Sequence, residues 1–204
     1  MKDQGDEVLK FQYDLSKESL IFELGAYKGG MVREFEKRFN SYIYAFEPSK
    51  KFFKILKNSF KSRKIKILNL GLANKNHTKK LIFSNDGTYV SSLNNKKNNY
   101  ELVKLVKLSQ FIELNKIDFI NLVNINIEGS EYGVLKDLIS SNQIKKIDHL
   151  QIQFHRNILF YRLKRFLLSL KLKKTHKKIW CYDFIWERWD LKSKNIKTEK
   201  FEIK

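Results

Sequence analysis

Four ionisable side chains close short apolar runs, the places where an α/β chain presents polar groups to a ligand: Glu23, Glu47, Glu128 and His155. Glu23 ends Leu20-Ile21-Phe22 and stands two residues before the turn Gly25-Ala26-Tyr27-Lys28-Gly29-Gly30. Gly25 and Gly29 let backbone approach a ligand closely, and the helix after the turn starts with unpaired N–H groups. Glu47 follows Tyr42–Phe46 about 20 residues beyond the turn, the spacing of a carboxylate that accepts two ribose hydroxyls. No Gly-Lys-Ser/Thr follows, so the turn is not a phosphate-binding Walker loop. It is not Gly-x-Gly-x-x-Gly either, which disfavours a dinucleotide. A carboxylate ahead of the first glycine suits S-adenosylmethionine, whose amino group and sulfonium are positive. For the glycines alone, an ordinary strand-to-helix turn is the alternative.

The later pair points to a reaction. From Phe119 to Ile127, Val123, Ile125 and Ile127 alternate with Asn124, Asn126 and Glu128. A central parallel strand is normally apolar on both faces, so this polar row needs partners, which a ligand pocket at the strand's carboxyl end would supply. His155 closes Ile147–Phe154 and belongs at the same sheet edge. A methyl group carried by such a cofactor moves to an acceptor atom held in line with it, and the acceptor's proton must be removed. Glu128 or His155 is the candidate base, with Asn126 orienting the acceptor or cofactor. The alternative is that Glu128 caps the following helix and His155 is structural.

Alternating strand and helix patterns must place these groups. Met31, Phe35 and Phe39 give an amphipathic helix, and Pro48 opens a second with Phe52, Phe53, Ile55, Leu56 and Phe60 on its buried side. A third strand, Ile65 to Leu70, runs into Gly71-Leu72-Ala73-Asn74, either an adenine-bordering corner or a plain connection. Residues 79–109 read as short antiparallel strands inserted beside the site, with Ser91 and Ser92 reaching the ligand or satisfying turns. A helix at Ser109 to Asn115 follows, and another from Ser130 buries Val134, Leu135 and Leu138. Asn157 to Leu172 is expected to cover the sheet with Phe160, Leu163, Leu167 and Leu170, leaving Arg162, Lys164, Arg165 and Lys171 in solvent; a helix lying on a membrane or nucleic acid is the alternative. The aromatic run Ile179–Trp189 reads as a terminal hairpin, and residues 1–17 as a lead-in segment.

Residues 1–204 suit a single domain. No apolar leader follows Met1 and no run approaches the roughly 18 apolar residues of a membrane span, so a cytoplasmic chain is expected. Cys181 is the single cysteine, which excludes an internal disulfide and a cysteine-rich zinc site; no metal is expected. A net charge of +19 favours an anionic partner (nucleic acid, acidic glycan, sugar nucleotide or membrane surface), unless the lysines are merely solvated.

The blocks Phe22-Glu23-Leu24-Gly25-Ala26-Tyr27-Lys28-Gly29, Tyr44-Ala45-Phe46-Glu47-Pro48-Ser49, Leu70-Gly71-Leu72-Ala73, Ser91-Ser92-Leu93 and Ile125-Asn126-Ile127-Glu128-Gly129-Ser130-Glu131 resemble, in that order, the FkbM family of S-adenosylmethionine-dependent methyltransferases. The resemblance implies an α/β, Rossmann-like class I methyltransferase fold: a three-layer sandwich around a mostly parallel seven-stranded sheet, with the small antiparallel insertion beside it. It implies methyl transfer to a hydroxyl of a small molecule, sugar or glycan. By that likeness Glu23, Gly25, Ala26 and Tyr27, with Gly29, cradle the methionine part of the cofactor. Glu47, with Pro48 and Ser49, holds the ribose, and Leu72 and Ala73 border the adenine. The family usually carries aspartate at the place of Glu23 and Lys-x-Asp at that of Asn124-Ile125-Asn126. Asparagine orients a hydroxyl but takes no proton at neutral pH. A cofactor-binding partner protein without catalysis is therefore one competing reading, and a nucleic-acid methyltransferase, favoured by the charge, is another.

Overall fold

The computed structural model describes residues 8–84, 87–91 and 100–192. In chain order the first elements are β1 (Leu20–Leu24), α1 (Gly30–Phe39), β2 (Tyr42–Phe46), α2 (Lys50–Ser59), β3 (Ile65–Leu68), β4 (Gly71–Ala73), β5 (His77–Ser84), β6 (Gly87–Ser91) and β7 (Tyr100–Lys107). Then come α3 (Leu108–Leu114), β8 (Ile120–Ile125), α4 (Glu131–Ser140), β9 (Ile147–Ile152), α5 (Tyr161–Leu172), β10 (His176–Tyr182) and β11 (Trp186–Leu191). Seven strands form one sheet in the order β10-β11-β9-β8-β1-β2-β3, and β4-β7-β5-β6 form a second, smaller sheet. The five strands from β9 to β3 are parallel, while β11 pairs antiparallel with both β9 and β10. The chain leaves β1 in one direction along the sheet and returns beyond it to β8, so the carboxyl ends of β1 and β8 flank the crevice where open α/β sheets bind ligands.

Two apolar layers make the three-layer sandwich. One face of the sheet packs Ile21, Ile43, Ala45 and Leu122 against Val32 and Phe35 of α1 and Leu56 of α2. The other packs Leu20, Phe22, Leu24, Val123 and Ile125 against α3, α4 and the inner side of α5. Leu20–Leu24 is buried throughout, as a central parallel strand must be. The insertion expected at 79–109 supplies β5, β6 and β7 of the smaller sheet, and Glu101 of β7 ties it to the start of α2, its carboxylate accepting the Lys50 N–H at 2.9 Å. The Gly71-Leu72-Ala73 corner is a strand of that smaller sheet, β4, parallel to β7. Ser91 ends β6, and Ser92 lies outside the described residues.

The polar row on β8 divides. Asn124 does not face a ligand: it is fully buried and sits in register between Glu23 of β1 and Gln151 of β9. Tyr13 Oη–H donates to Gln151 at 2.8 Å, Gln151 Nε2 to Asn124 Oδ1 at 2.8 Å, and Asn124 Nδ2 to Glu23 Oε2 at 2.7 Å. The lead-in segment thus supplies the first donor of a chain of hydrogen bonds that ends on a carboxyl group. Burial pushes the Glu23 pKa up to about 8, and the Asn124 hydrogen bond offsets only part of that. Glu23 is therefore protonated in the fold at neutral pH and ionised in the unfolded chain, so folding takes up a proton between the ordinary carboxyl range and about pH 8, and stability falls as pH rises through that window. Glu23→Gln keeps a neutral acceptor for Asn124. It is expected to flatten this dependence and to be more stable than the parent by on the order of 2 kcal/mol at alkaline pH, read by urea unfolding across a pH series.

The helix α5 is turned away from its sequence-based expectation. Leu168 and Leu172 are the residues it buries on the sheet, whereas Leu163, Leu167, Leu170 and the preceding Phe160 are exposed. Arg165, expected in solvent, is the anchor: its guanidinium reaches Glu187 at 2.6 Å and Asp183 at 3.0 Å on the terminal hairpin. Leucines occupy two sides of this helix, and the side that meets the sheet is the one whose neighbouring arginine finds those carboxylates.

Candidate cofactor and acceptor cleft

A cleft of about 860 Å³, counted out to its open mouth, lies over the carboxyl ends of β1, β2 and β8. Gly25 and Tyr27 line it from the first turn, Glu47 and Pro48 from the end of β2, and Asn126, Glu128 and Ser130 from the turn after β8. Leu70, Gly71, Leu72, Leu81 and Leu105 form an apolar wall contributed largely by the smaller sheet.

Gly25 is required where it stands. Its φ is +88°, and a Cβ there would come within 2.1 Å of the Asn126 carbonyl oxygen. Gly25 and Ala26 both donate their N–H to the Phe46 carbonyl at 3.0 Å, and Asn126 donates its N–H to the Leu24 carbonyl at 3.1 Å, which together hold the ends of β1, β2 and β8 beneath the cleft. Glu47, nearly fully buried, accepts the Tyr27 N–H at 2.7 Å and the Ser49 N–H at 2.9 Å, one on each carboxylate oxygen. Each oxygen keeps a further lone pair for a hydroxyl. Asn69 donates to the Glu47 and Pro48 carbonyls at 2.9 Å each and so fixes that loop.

Burial pushes Glu47 up to about 7 despite those two N–H donors, and the Glu101 carboxylate adds to the shift. Only the ionised form accepts two hydroxyls at once. Affinity for a ribose-bearing ligand is therefore expected to rise up to about tenfold from pH 6 to pH 8, and titration calorimetry with S-adenosylhomocysteine at the two pH values reads it. Glu47→Gln should remove the dependence along with most of the affinity.

At the other end of the cleft Glu128 is 44% exposed on its side chain and reaches His155 Nε2 at 3.3 Å. His155 Nδ1 lies 3.3 Å from Glu131 Oε1. Glu131 is fully buried and accepts the N–H of Gly129 and of His155, each at 2.7 Å, so the turn is tied down by Glu131 rather than by Glu128. Burial alone would lower the His155 pKa. The hydrogen bonds and charges of Glu128 and Glu131 overturn that and raise it to about 9, so the ring is a cation at neutral pH. A cationic imidazole offers no lone pair for a proton, which leaves Glu128 as the base candidate and His155 as the group that orients it. Glu128 also adopts φ +51°, a left-handed conformation that costs a side-chain-bearing residue about 1–2 kcal/mol and clusters at functional sites.

Of the sequence candidates, Gly25, Tyr27, Glu47, Pro48, Leu72, Asn126 and Glu128 meet at the cleft. Glu23 lies beneath it in the sheet ladder, and Ala26 is buried between the sheet and its helices. Gly29 caps α1, and its open side faces Phe60 and Leu56. Ser49 is fully buried at the start of α2, Ala73 packs inside the smaller sheet, and His155 acts on the cleft through Glu128. Leu81 and Leu105 were not distinguishable as cleft residues in the sequence, because only the fold of the insertion brings them over the site. Among the described residues no cluster of His, Cys, Asp and Glu is arranged to hold a metal. No helix among them is long and apolar enough to cross a membrane.

The residues present fit S-adenosylmethionine. Asn126 Oδ1 is buried without a hydrogen-bond partner, a cost that a bound donor removes. The buried Glu47 carboxylate and the leucine wall supply the diol acceptor and apolar contact that an adenosyl group needs, and Gly25 lines the same cleft.

Comparison with solved structures gives the same fold. A putative rRNA methylase from Clostridium thermocellum superposes with a TM-score of 0.56 at 10% identity, covering 92% of this chain and 93% of that one. Fibrillarin in its complex with Nop5p gives 0.54 at 13% identity over 91% and 78%, and fibrillarin from Methanococcus jannaschii 0.50 at 11% over 88% and 69%. None of the curated proteins matches the sequence. The family model for the methyltransferase FkbM domain matches residues 23–174, most of the chain and all of the cleft. The chain therefore belongs to the FkbM methyltransferase family, and its cofactor is S-adenosylmethionine.

Proposed function

We propose that the protein is an O-methyltransferase acting on a hydroxyl of a sugar, glycan or glycosylated small molecule. The observation that carries this reading is the triad of Glu128, His155 and Glu131, whose Glu128 lines the cleft together with Asn126, the latter with a buried Oδ1 that has no partner. S-adenosylmethionine, when bound, supplies an electrophilic methyl group on a sulfonium. Gly25, Tyr27, Glu47 and Leu72 would hold it, with Glu47 accepting the ribose hydroxyls.

The remaining work falls to the turn after β8. Glu128 would accept the acceptor's O–H and take its proton as the acceptor oxygen bonds to the methyl carbon, whose bond to the sulfonium sulfur breaks with that electron pair staying on sulfur, so that S-adenosylhomocysteine leaves. His155, positive and gripped by the buried Glu131, fixes the Glu128 carboxylate at the cleft. Asn126 orients the acceptor or the cofactor through its unpartnered oxygen. Positioning supplies much of the rate in such a displacement, and a general base adds roughly 10²–10⁴-fold.

The reading as a non-catalytic partner drew on Asn124 and Asn126. Asn124 is engaged by Glu23 and Gln151 away from the cleft, which removes half of that motive. An assay of the purified protein with S-adenosylmethionine against a panel of glycans, sugar nucleotides, glycosylated small molecules and RNA tests the proposal. Turnover on a sugar hydroxyl supports it. Turnover confined to RNA, or none with any acceptor, overturns it.

A further inference from the structure

We infer that α5 seats the protein on the surface of an anionic phospholipid bilayer. The helix shows two opposite apolar sides. Leu168 and Leu172 face the sheet, and Arg165 is locked to Glu187 at 2.6 Å on that same inner side, so the helix is held firmly from within. On the outer side Leu159, Phe160, Leu163, Phe166, Leu167 and Leu170 are between 45% and 73% exposed. Leu163, Phe166, Leu167 and Leu170 fall on one stripe of a helix with 3.6 residues per turn, and Leu159 and Phe160 extend it from the turn that precedes the helix. An apolar patch of this extent on a chain this polar marks a contact surface.

Charge says what the contact is. From Arg156 to Tyr182 the sequence carries nine Lys and Arg and no Asp or Glu. On the helical wheel, exposed Arg162 and Lys173 border the stripe along one edge, and exposed Lys164 and Lys171 along the other. A stripe of leucine and phenylalanine edged on both sides by basic side chains matches the interfacial plane of a bilayer: the apolar groups enter the acyl boundary while the cations remain at the phosphates. A second copy of this helix would bring basic edges against basic edges with no acidic residue to match them. A nucleic acid would meet the lysines and leave six large apolar side chains against phosphate. The stripe starts four residues after His155, and Asn157 donates to the Glu128 carbonyl at 3.1 Å, so a docked helix sets the catalytic end of the cleft beside the lipid surface.

Co-sedimentation with vesicles of phosphatidylcholine, with and without phosphatidylglycerol, tests the inference and does not depend on methyl transfer. Binding is expected to be at least about tenfold stronger to the anionic vesicles and to weaken with added salt. The charge-neutral double variant Leu163→Ser/Leu167→Ser is expected to lose about tenfold or more of that binding, since the side chains it removes are those that enter the lipid. Its thermal unfolding should be unchanged, because both leucines are exposed. Equal binding to the two vesicles, no binding to either, or undiminished binding by the double variant would each overturn the proposal. So would light scattering that finds a dimer which the double variant turns into monomer, because the stripe would then be a subunit interface.

Discussion

Gly25→Ala is expected to lose S-adenosylhomocysteine binding by about 100-fold or more and to lower the unfolding free energy by about 3 kcal/mol. Two costs combine. The alanine must adopt φ near +88°, and its Cβ collides at 2.1 Å with the Asn126 carbonyl oxygen, a backbone atom that cannot swing aside. Relief requires the ends of β1 and β8 to part, and that junction carries both Gly25 and Asn126 into the cleft. Gly30→Ala is the control. Nothing lies within 4 Å of its Cβ, and it begins α1, so the substitution should be neutral or slightly stabilising with unchanged binding. Urea unfolding and calorimetry on both variants read the contrast.

Glu128→Gln is expected to lower kcat by about 10²–10⁴-fold while S-adenosylhomocysteine affinity stays within about twofold. The amide keeps the shape and still meets His155, but it takes no proton. His155→Gln should produce a smaller loss and a changed pH profile, because the imidazolium acts by holding Glu128 rather than by touching the reacting atoms. It should also remove a source of stability. The His155 pKa stands at about 9 against 6.5 in the unfolded chain, so its contribution is complete below about pH 6.5 and is lost as pH rises through about 9. Equal kcat in Glu128→Gln and the parent would assign the base elsewhere.

Local patterns carried much of the architecture. The apolar runs, the glycine turn and the lone Pro48 placed β1, α1, β2 and α2 within a residue or two, and Glu47 arrived at the cleft where its spacing put it. What the sequence left hidden depends on pairing across long separations. Asn124 reads as a ligand-facing oddity in a buried strand until β8 is set between β1 and β9. Glu23, 101 residues away, is then seen to share its proton-bearing carboxyl with it. Where the family resemblance leads one to expect a lysine facing an aspartate, this chain holds an asparagine facing a neutral glutamate. The charge pair is absent, yet the hydrogen bond across the sheet is made.

The orientation of α5 was hidden for a different reason. Leu163, Leu167 and Leu170 make as good a stripe as Leu168 and Leu172, and periodicity ranks apolar sides by their size, not by what the rest of the fold offers them. The hairpin decided it, through Glu187 and Asp183 around Arg165. His155 illustrates the limit for chemistry: its position at a strand end was legible, whereas its charge follows from two glutamates, one of them fully buried.

The central claim is that this cleft binds the cofactor through Glu47 and the Gly25 turn. Titration calorimetry of the purified protein with S-adenosylhomocysteine tests it most directly. The structure predicts one-to-one binding with a Kd of about 10 μM or tighter, weakened at least tenfold (~1.4 kcal/mol) in Glu47→Ala. Folded protein that shows no binding, or a Glu47→Ala variant that binds as tightly as the parent, would contradict it.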